Sequence, residues 1–343
     1  MRKLLTATLV CLIYAAVSTA TAGTRAADIV VAQDGSGDYL TVQEAIDAAP
    51  DYEHGYFTLI LVKEGTYRER VTVPHNKTRL IIRGEGAGKT RIVYGLSAKM
   101  KWPGTDRNVG TSGSATMYIH ANNIVVEDLT VENDAGEGKE IGQAVAISIN
   151  GDRVFFHRVS FIGNQDTLYT HGQYCRNGWA ARNYFLDCYV EGTTDFIFGP
   201  ATAMFENCHI HSKKDSYITA ASTLKEFRYG YVFRNCRFTA AEGVTKCYLG
   251  RPWGAYAKTV IIGCELGSHI LPEGWHDWEK EGKPDTKKNS YYAEYGNSGP
   301  GASLSGRVKW SRKLTARKAA GYTFENVMLD PKDTDVWDPL GIE

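Results

Sequence analysis

The chain has 343 residues and balanced formal charge, 39 basic against 39 acidic side chains. That balance, without a long basic run, argues against nucleic acid or a membrane surface as partner. The length allows two domains, but one continuous repeat runs through the sequence, and a solenoid lengthens along its axis instead of dividing.

The N-terminus reads Met1-Arg2-Lys3, then an apolar run from Leu4 to Val17, then Ser18-Thr19-Ala20-Thr21-Ala22. A basic start, an apolar stretch too short to span a bilayer comfortably and an Ala-x-Ala site make residues 1–22 a secretory signal peptide, cleaved after Ala22. The mature protein is therefore expected to be secreted or periplasmic, with residues 28–343 as one domain. Asp28-Ile29-Val30-Val31-Ala32 alternates as a first strand. Thr41-Val42-Gln43-Glu44 has the form of a capping box and opens a short helix to about Ala49, closed by Pro50. Such a helix would cover the open end of a solenoid, whose first rung otherwise exposes unpaired backbone. Strands follow at Phe57–Val62 and Leu80–Arg83, and Lys99–Ser114 reads as a polar loop.

The middle of the chain repeats one pattern. Asp128-Leu129-Thr130-Val131, Arg158-Val159-Ser160-Phe161, Asp187-Cys188-Tyr189-Val190, Asn207-Cys208-His209-Ile210, Asn235-Cys236-Arg237-Phe238 and Gly263-Cys264-Glu265-Leu266 place an apolar residue or cysteine at 129, 159, 188, 208, 236 and 264, spaced 30, 29, 20, 28 and 28 apart. A period of this size in strand-forming sequence points to a solenoid, an all-β, right-handed parallel β-helix with coils at 117–131, 144–161, 167–190, 196–210, 217–238 and 247–266. Trp275 to Tyr295 is a charged insertion long enough to wall one side of that coil. Lys313 to Ala320 reads as a short helix before a last strand, Thr323–Leu329. Of seven cysteines, Cys11 falls in the signal, leaving six. Those at the repeat's inward position form either a ladder of buried thiols or, for Cys188 and Cys208 on adjoining rungs, a disulfide.

Two copies of the repeat carry an aspartate before a strand, Asp166 in Gly163-Asn164-Gln165-Asp166-Thr167-Leu168-Tyr169 and Asp195 in Gly192-Thr193-Thr194-Asp195-Phe196-Ile197-Phe198-Gly199. Asp166 lies seven positions after Val159 and Asp195 seven after Cys188, so the two hold equivalent places and stack about 4.8 Å apart on one outer face. Two carboxylates that close do not both ionise easily, and one keeps a proton. These motifs, with Gly142-Gln143-Ala144-Val145-Ala146 and Leu249-Gly250-Arg251-Pro252-Trp253, resemble the pectin methylesterases, carbohydrate esterase family eight. The resemblance extends from Asp34-Gly35-Ser36-Gly37-Asp38 to Gly299-Pro300-Gly301-Ala302 and spans nearly the whole mature chain.

Read from the residues and carried equally by the resemblance, Asp195 is the expected nucleophile, Arg251 its bidentate partner, and Asp166 the acid and then the base. Gln143, expected to stack on the rung before Asp166, and Gln165 are donors for an oxyanion. Trp253, Trp275, Phe198 and Tyr169 are assigned to a substrate groove because sugar rings stack on exposed aromatics, and the resemblance adds Thr111 from Gly110-Thr111-Ser112-Gly113. His157, His171 and His276 lack ligand spacing, so no metal or other cofactor is implied. The expected partner is methylesterified homogalacturonan, bound by a monomer through local contacts.

The bland reading of each aspartate is a turn residue bonding its own backbone. Two in register, with an amide before and an arginine after, weigh against it. A glycoside hydrolase also uses paired carboxylates, but has no oxyanion for the glutamines to hold. A non-catalytic carbohydrate-binding solenoid would keep the aromatics and has no use for an arginine-held aspartate. The absence of a Gly-x-Ser-x-Gly elbow disfavours a serine esterase.

Overall fold

The structure is a computed structural model that describes residues 25–172, 181–278, 285–330 and 336–342. Residues 1–24, with the expected signal peptide and Cys11, and Cys175 lie outside the described residues. The chain winds into a right-handed parallel β-helix of three sheets with 11, 7 and 8 strands, every pairing between them parallel. From Thr58 to Gly250 each turn supplies one strand to each sheet. Val154–His157 lies between Ile124–Glu127 and Arg182–Leu186 in the first sheet, Leu168–Tyr169 between Ile147–Ile149 and Ile197–Gly199 in the second, and Ser160–Ile162 between Thr130–Asn133 and Tyr189–Gly192 in the third.

A single residue makes the corner between the first and third sheets. Asp128, Arg158, Asp187, Asn207 and Asn235 all take left-handed φ between 52° and 56°, and Gly263 takes 65°. Asn, Asp and Gly tolerate that region best, which is why they recur at the head of the repeat. The next residue, Leu129, Val159, Cys188, Cys208, Cys236 or Cys264, then turns into the core and is fully buried. Identical positions stack from rung to rung, so Phe156, Phe185, Phe205 and Phe233 form a column of parallel rings with centroids 4.8, 4.4 and 4.6 Å apart.

The Cys188–Cys208 bridge is not formed. Both are free, buried thiols, as are Cys236, Cys247 and Cys264. Cys188 Sγ donates to Phe156 O and Cys208 Sγ to Phe185 O, each on the preceding rung.

The helix Val42–Ala48 closes the N-terminal end. Thr41 and Glu44 form the capping box, Glu69 accepts from the free amides of Val42 and Gln43, and Val42, Ala45 and Ile46 enter the main core. Short strands at Gly65–Tyr67, Val71–Val73 and Thr90–Tyr94 complete the early coils. Two tail expectations are corrected. Residues 323–329 hold a helix, Phe324–Met328, not a strand, because Thr323 caps it by accepting from Asn326 N and the turn delivers Val327 and Met328 onto the outer face of the first sheet. The insertion after Trp275 ends earlier than expected, since Tyr291–Tyr295 is a strand of the first sheet; residues 279–284 lie outside the described residues.

Candidate active site

The second sheet positions the site. Leu168 pairs with Ile197, so Asp166 and Asp195, each two residues earlier, face one another across adjacent rungs. Strict alternation would point both side chains into the core with Leu168 and Ile197. Left-handed φ values of 66° at Asp166 and 49° at Asp195 break the alternation, and both carboxylates open onto an outer cleft of about 480 Å³.

Arg251 reaches Asp195 from two rungs further on. Phe198 is paired with Ala220, and Thr219 with Gly250, which sets Arg251 beside Ala220. The methyl of Ala220 leaves the gap through which the arginine leans back along the column. Its Nε donates to Asp195 Oδ1 at 3.0 Å and its Nη2 to Oδ2 at 2.6 Å. The guanidinium is clamped between two rings, 3.9 Å from the Tyr217 centroid and 3.8 Å from that of Trp278. Such stacking fixes the fork and shields it from water.

The carboxylates are 8% and 6% exposed. Burial pushes the Asp166 carboxyl well above the usual range, the charge of Asp195 adds to this, and Arg251 offsets only part. Burial raises Asp195 as well, but the hydrogen bonds and charge of Arg251 pull it back. The two environments thus split the pair, with Asp166 the more resistant to ionisation.

Gln143, Gln165 and Thr111 border the same cleft. Among the described residues neither glutamine amide has a side-chain hydrogen-bond partner, so both are available to a ligand. Gln143 does not stack directly on Asp166. Ile147 pairs with Leu168, which sets Val145 opposite Asp166, and Ala144 N donates to Gln165 O at 3.0 Å. On this rung the left-handed turn is made by Gly142, with φ 71°, so Gln143 follows the turn while the two aspartates are the turn.

The aromatic rim differs from expectation at one position. Tyr169 and Phe198 stack at 4.2 Å on the cleft floor, and Trp253 stands beside Phe198 with 42% of its surface exposed. Trp275 is 0% exposed and packs in the main core, where its Nε1 donates to Glu294. It pairs with Gly250 on the inward column. The ring that does line the cleft is Trp278, three residues on. Sequence reading also missed Tyr217, which is the partner of Asp195 one rung later; counting that register on from Ile197 and Thr219 finds it. Among the described residues no group of three or more His, Cys, Asp or Glu side chains converges as a metal site.

Comparison with known proteins bears on this arrangement directly. The pectinesterase family model matches residues 28–330. The chain is 37% identical to Pectinesterase 31 of Arabidopsis thaliana over 311 residues, covering 90% of this chain and 93% of that protein. It is 40% identical to putative pectinesterase/pectinesterase inhibitor 38 of the same plant over 83% of this chain, but spans only 58% of that longer protein. Among solved structures, pectin methylesterase from carrot superposes with a TM-score of 0.79 at 33% identity, covering 89% of this chain and 94% of its own. PemA from Erwinia chrysanthemi does so with 0.77 at 30%, covering 92% and 99%. A β-helix carrying paired aspartates, one of them gripped by an arginine, thus coincides with sequence likeness along nearly the whole fold, and the chain belongs to the pectinesterase family of enzymes.

Proposed function

We propose that the protein hydrolyses the methyl esters of homogalacturonan, releasing methanol and pectate, through an acyl-enzyme on Asp195. The observation that carries this reading is the bidentate Arg251–Asp195 pair set in register beside the buried carboxyl of Asp166. The Asp195 carboxylate attacks the ester carbonyl, and the charge that develops on the carbonyl oxygen is met by the side-chain amides of Gln143 and Gln165. As the tetrahedral species collapses, the methoxy oxygen takes the proton from Asp166 and leaves as methanol. Asp166, now ionised, removes a proton from water, which attacks the Asp195 anhydride; the sugar leaves as its acid and both aspartates return to their starting states. Trp253, Phe198, Tyr169 and Thr111 hold the sugar chain in the cleft, with Trp278 in the place expected of Trp275.

The likeness to a pectin methylesterase crystallised in complex with a hexasaccharide supports an oligosaccharide in this cleft. Export through the signal at residues 1–22 and action as a monomer complete the reading. One assay tests the reaction: highly esterified pectin should yield methanol without chain shortening. New reducing ends would make the protein a glycoside hydrolase, and binding without product would make it a non-catalytic solenoid.

A further inference from the structure

A second cleft lies on a different wall of the coil and shares no residue with the first. It forms where the outer side of the first sheet meets the C-terminal helices, with a volume of about 290 Å³ among Arg228, Tyr229, Lys258, Tyr291, Arg312 and Tyr322. An adjoining hollow of about 330 Å³ shares Arg228 and the three tyrosines and adds Arg317 and Lys318. Neither lining includes an aspartate or glutamate.

Several cations on or beside the first sheet are matched, as in Arg83–Glu127 at 2.5 Å, Arg158–Asp128 at 2.6 Å and Arg182–Asp152 at 2.6 Å. None of Arg228, Lys258, Arg312, Arg317 and Lys318 forms an ion pair with a described carboxylate. Three cations border each of the two adjoining hollows, with Arg228 common to both, and repel each other, a cost that an anionic ligand removes. The rings give the ligand its second property. Arg312 lies 4.8 Å from the Tyr291 centroid, Arg228 lies 5.0 Å from that of Tyr229, and Tyr229 meets Tyr322 edge to face at 5.8 Å. Half-buried ring faces beside guanidinium forks suit a sugar ring that bears a carboxylate. A bare phosphate would not use the tyrosines, and a neutral sugar would not use the cations.

We propose that this cleft is a second carbohydrate site that takes unesterified, uronate-bearing oligosaccharide. The identity of the sugar rests on the proposed reaction, whose product belongs to that class; the charge and shape of the cleft do not. A site of this kind holds the enzyme on chain it has already demethylated while the first cleft works on the next esters.

The test is affinity electrophoresis through polygalacturonate, with dextran sulfate as a control polyanion and no turnover required. Arg228→Glu combined with Arg312→Glu, both exposed and outside the first cleft, should bind polygalacturonate about tenfold more weakly than wild type, with unchanged melting and unchanged kcat on a short methylated oligosaccharide. Tyr291→Ala should weaken retardation by polygalacturonate but not by dextran sulfate. Wild-type retardation in the double variant overturns the site. Equal loss on both polymers in the tyrosine variant overturns its specificity for a uronate. Wild type that releases no methanol from pectin would sink the proposed reaction but leave the electrophoresis readable, so the two failures are distinguishable.

Discussion

Arg251 holds Asp195 by both oxygens, Nε to Oδ1 and Nη2 to Oδ2, while Tyr217 and Trp278 close on either face of the guanidinium. The pair is therefore oriented by rings as well as by charge. A lysine supplies the charge but neither the fork nor the flat surface. Arg251→Lys is expected to lower kcat by about 10²-fold or more, on the scale of losing one preorganised electrostatic contact. Since Arg251 is what opposes the burial-driven rise of Asp195, the acid limb of the pH–rate profile should also move to higher pH. An unchanged acid limb in that variant would show that Asp195 is not the ionised nucleophile.

Asp166 gives a prediction about stability. Its folded pKa lies above its unfolded value, so the folded state binds more protons between the two, and stability falls as pH rises through that window. Asp166→Asn removes the penalty. The variant should melt higher than wild type at neutral pH, converge with it in acid, and have kcat severely reduced. Parallel melting curves across the whole range would mean that Asp166 is not held protonated by the fold.

Two tryptophans should separate binding from folding. Trp253→Ala removes an exposed ring at the rim and is expected to raise KM several-fold with unchanged melting. Trp275→Ala empties part of the core and should cost about 3–5 kcal/mol, and it also takes a donor from the buried Glu294 that Arg307 holds at 2.8 Å. If Trp275→Ala folded normally and only bound substrate less well, its placement in the core would be wrong.

The small side chain of Ala220 is a geometric requirement. Ala220→Leu should fill the gap between Phe198 and Arg251, displace the guanidinium from Asp195 and depress kcat more than KM. A crystal structure of the variant with the Arg251–Asp195 bonds intact would refute this.

The thiol ladder is checked chemically. Cys188, Cys208, Cys236, Cys247 and Cys264 should resist a thiol reagent in the native protein and react after denaturation without reductant, and dithiothreitol should leave the melting temperature unchanged.

Periodicity made much of this legible in the sequence. The spacing from Val159 to Asp166 equals that from Cys188 to Asp195, and equal spacing in a solenoid means equal position, so the pairing of the aspartates followed from counting. Gln143 did not follow, because its rung turns at Gly142 and a motif alone does not show which residue takes the left-handed φ. Trp275 misled for a related reason. Its column is set by pairing with Gly250, a contact between residues far apart along the chain, while proximity to charged residues suggested the surface. The helix at Phe324–Met328 was legible but misread: Phe324, Val327 and Met328 fall at the i, i+3, i+4 spacing of a helix behind a threonine cap, while the enrichment in apolar residues suggested a strand.

The one-residue corners at Asp128, Arg158, Asp187, Asn207 and Asn235 leave no slack between walls. The backbone spacing of the two acids is likewise not a property that side-chain replacement tunes, because they sit on adjoining rungs of the second sheet in the register set by Leu168 and Ile197. Variation in what such a protein accepts must then arise at the edges, in the segments that leave the coil and come back, while the reacting pair keeps a fixed gauge.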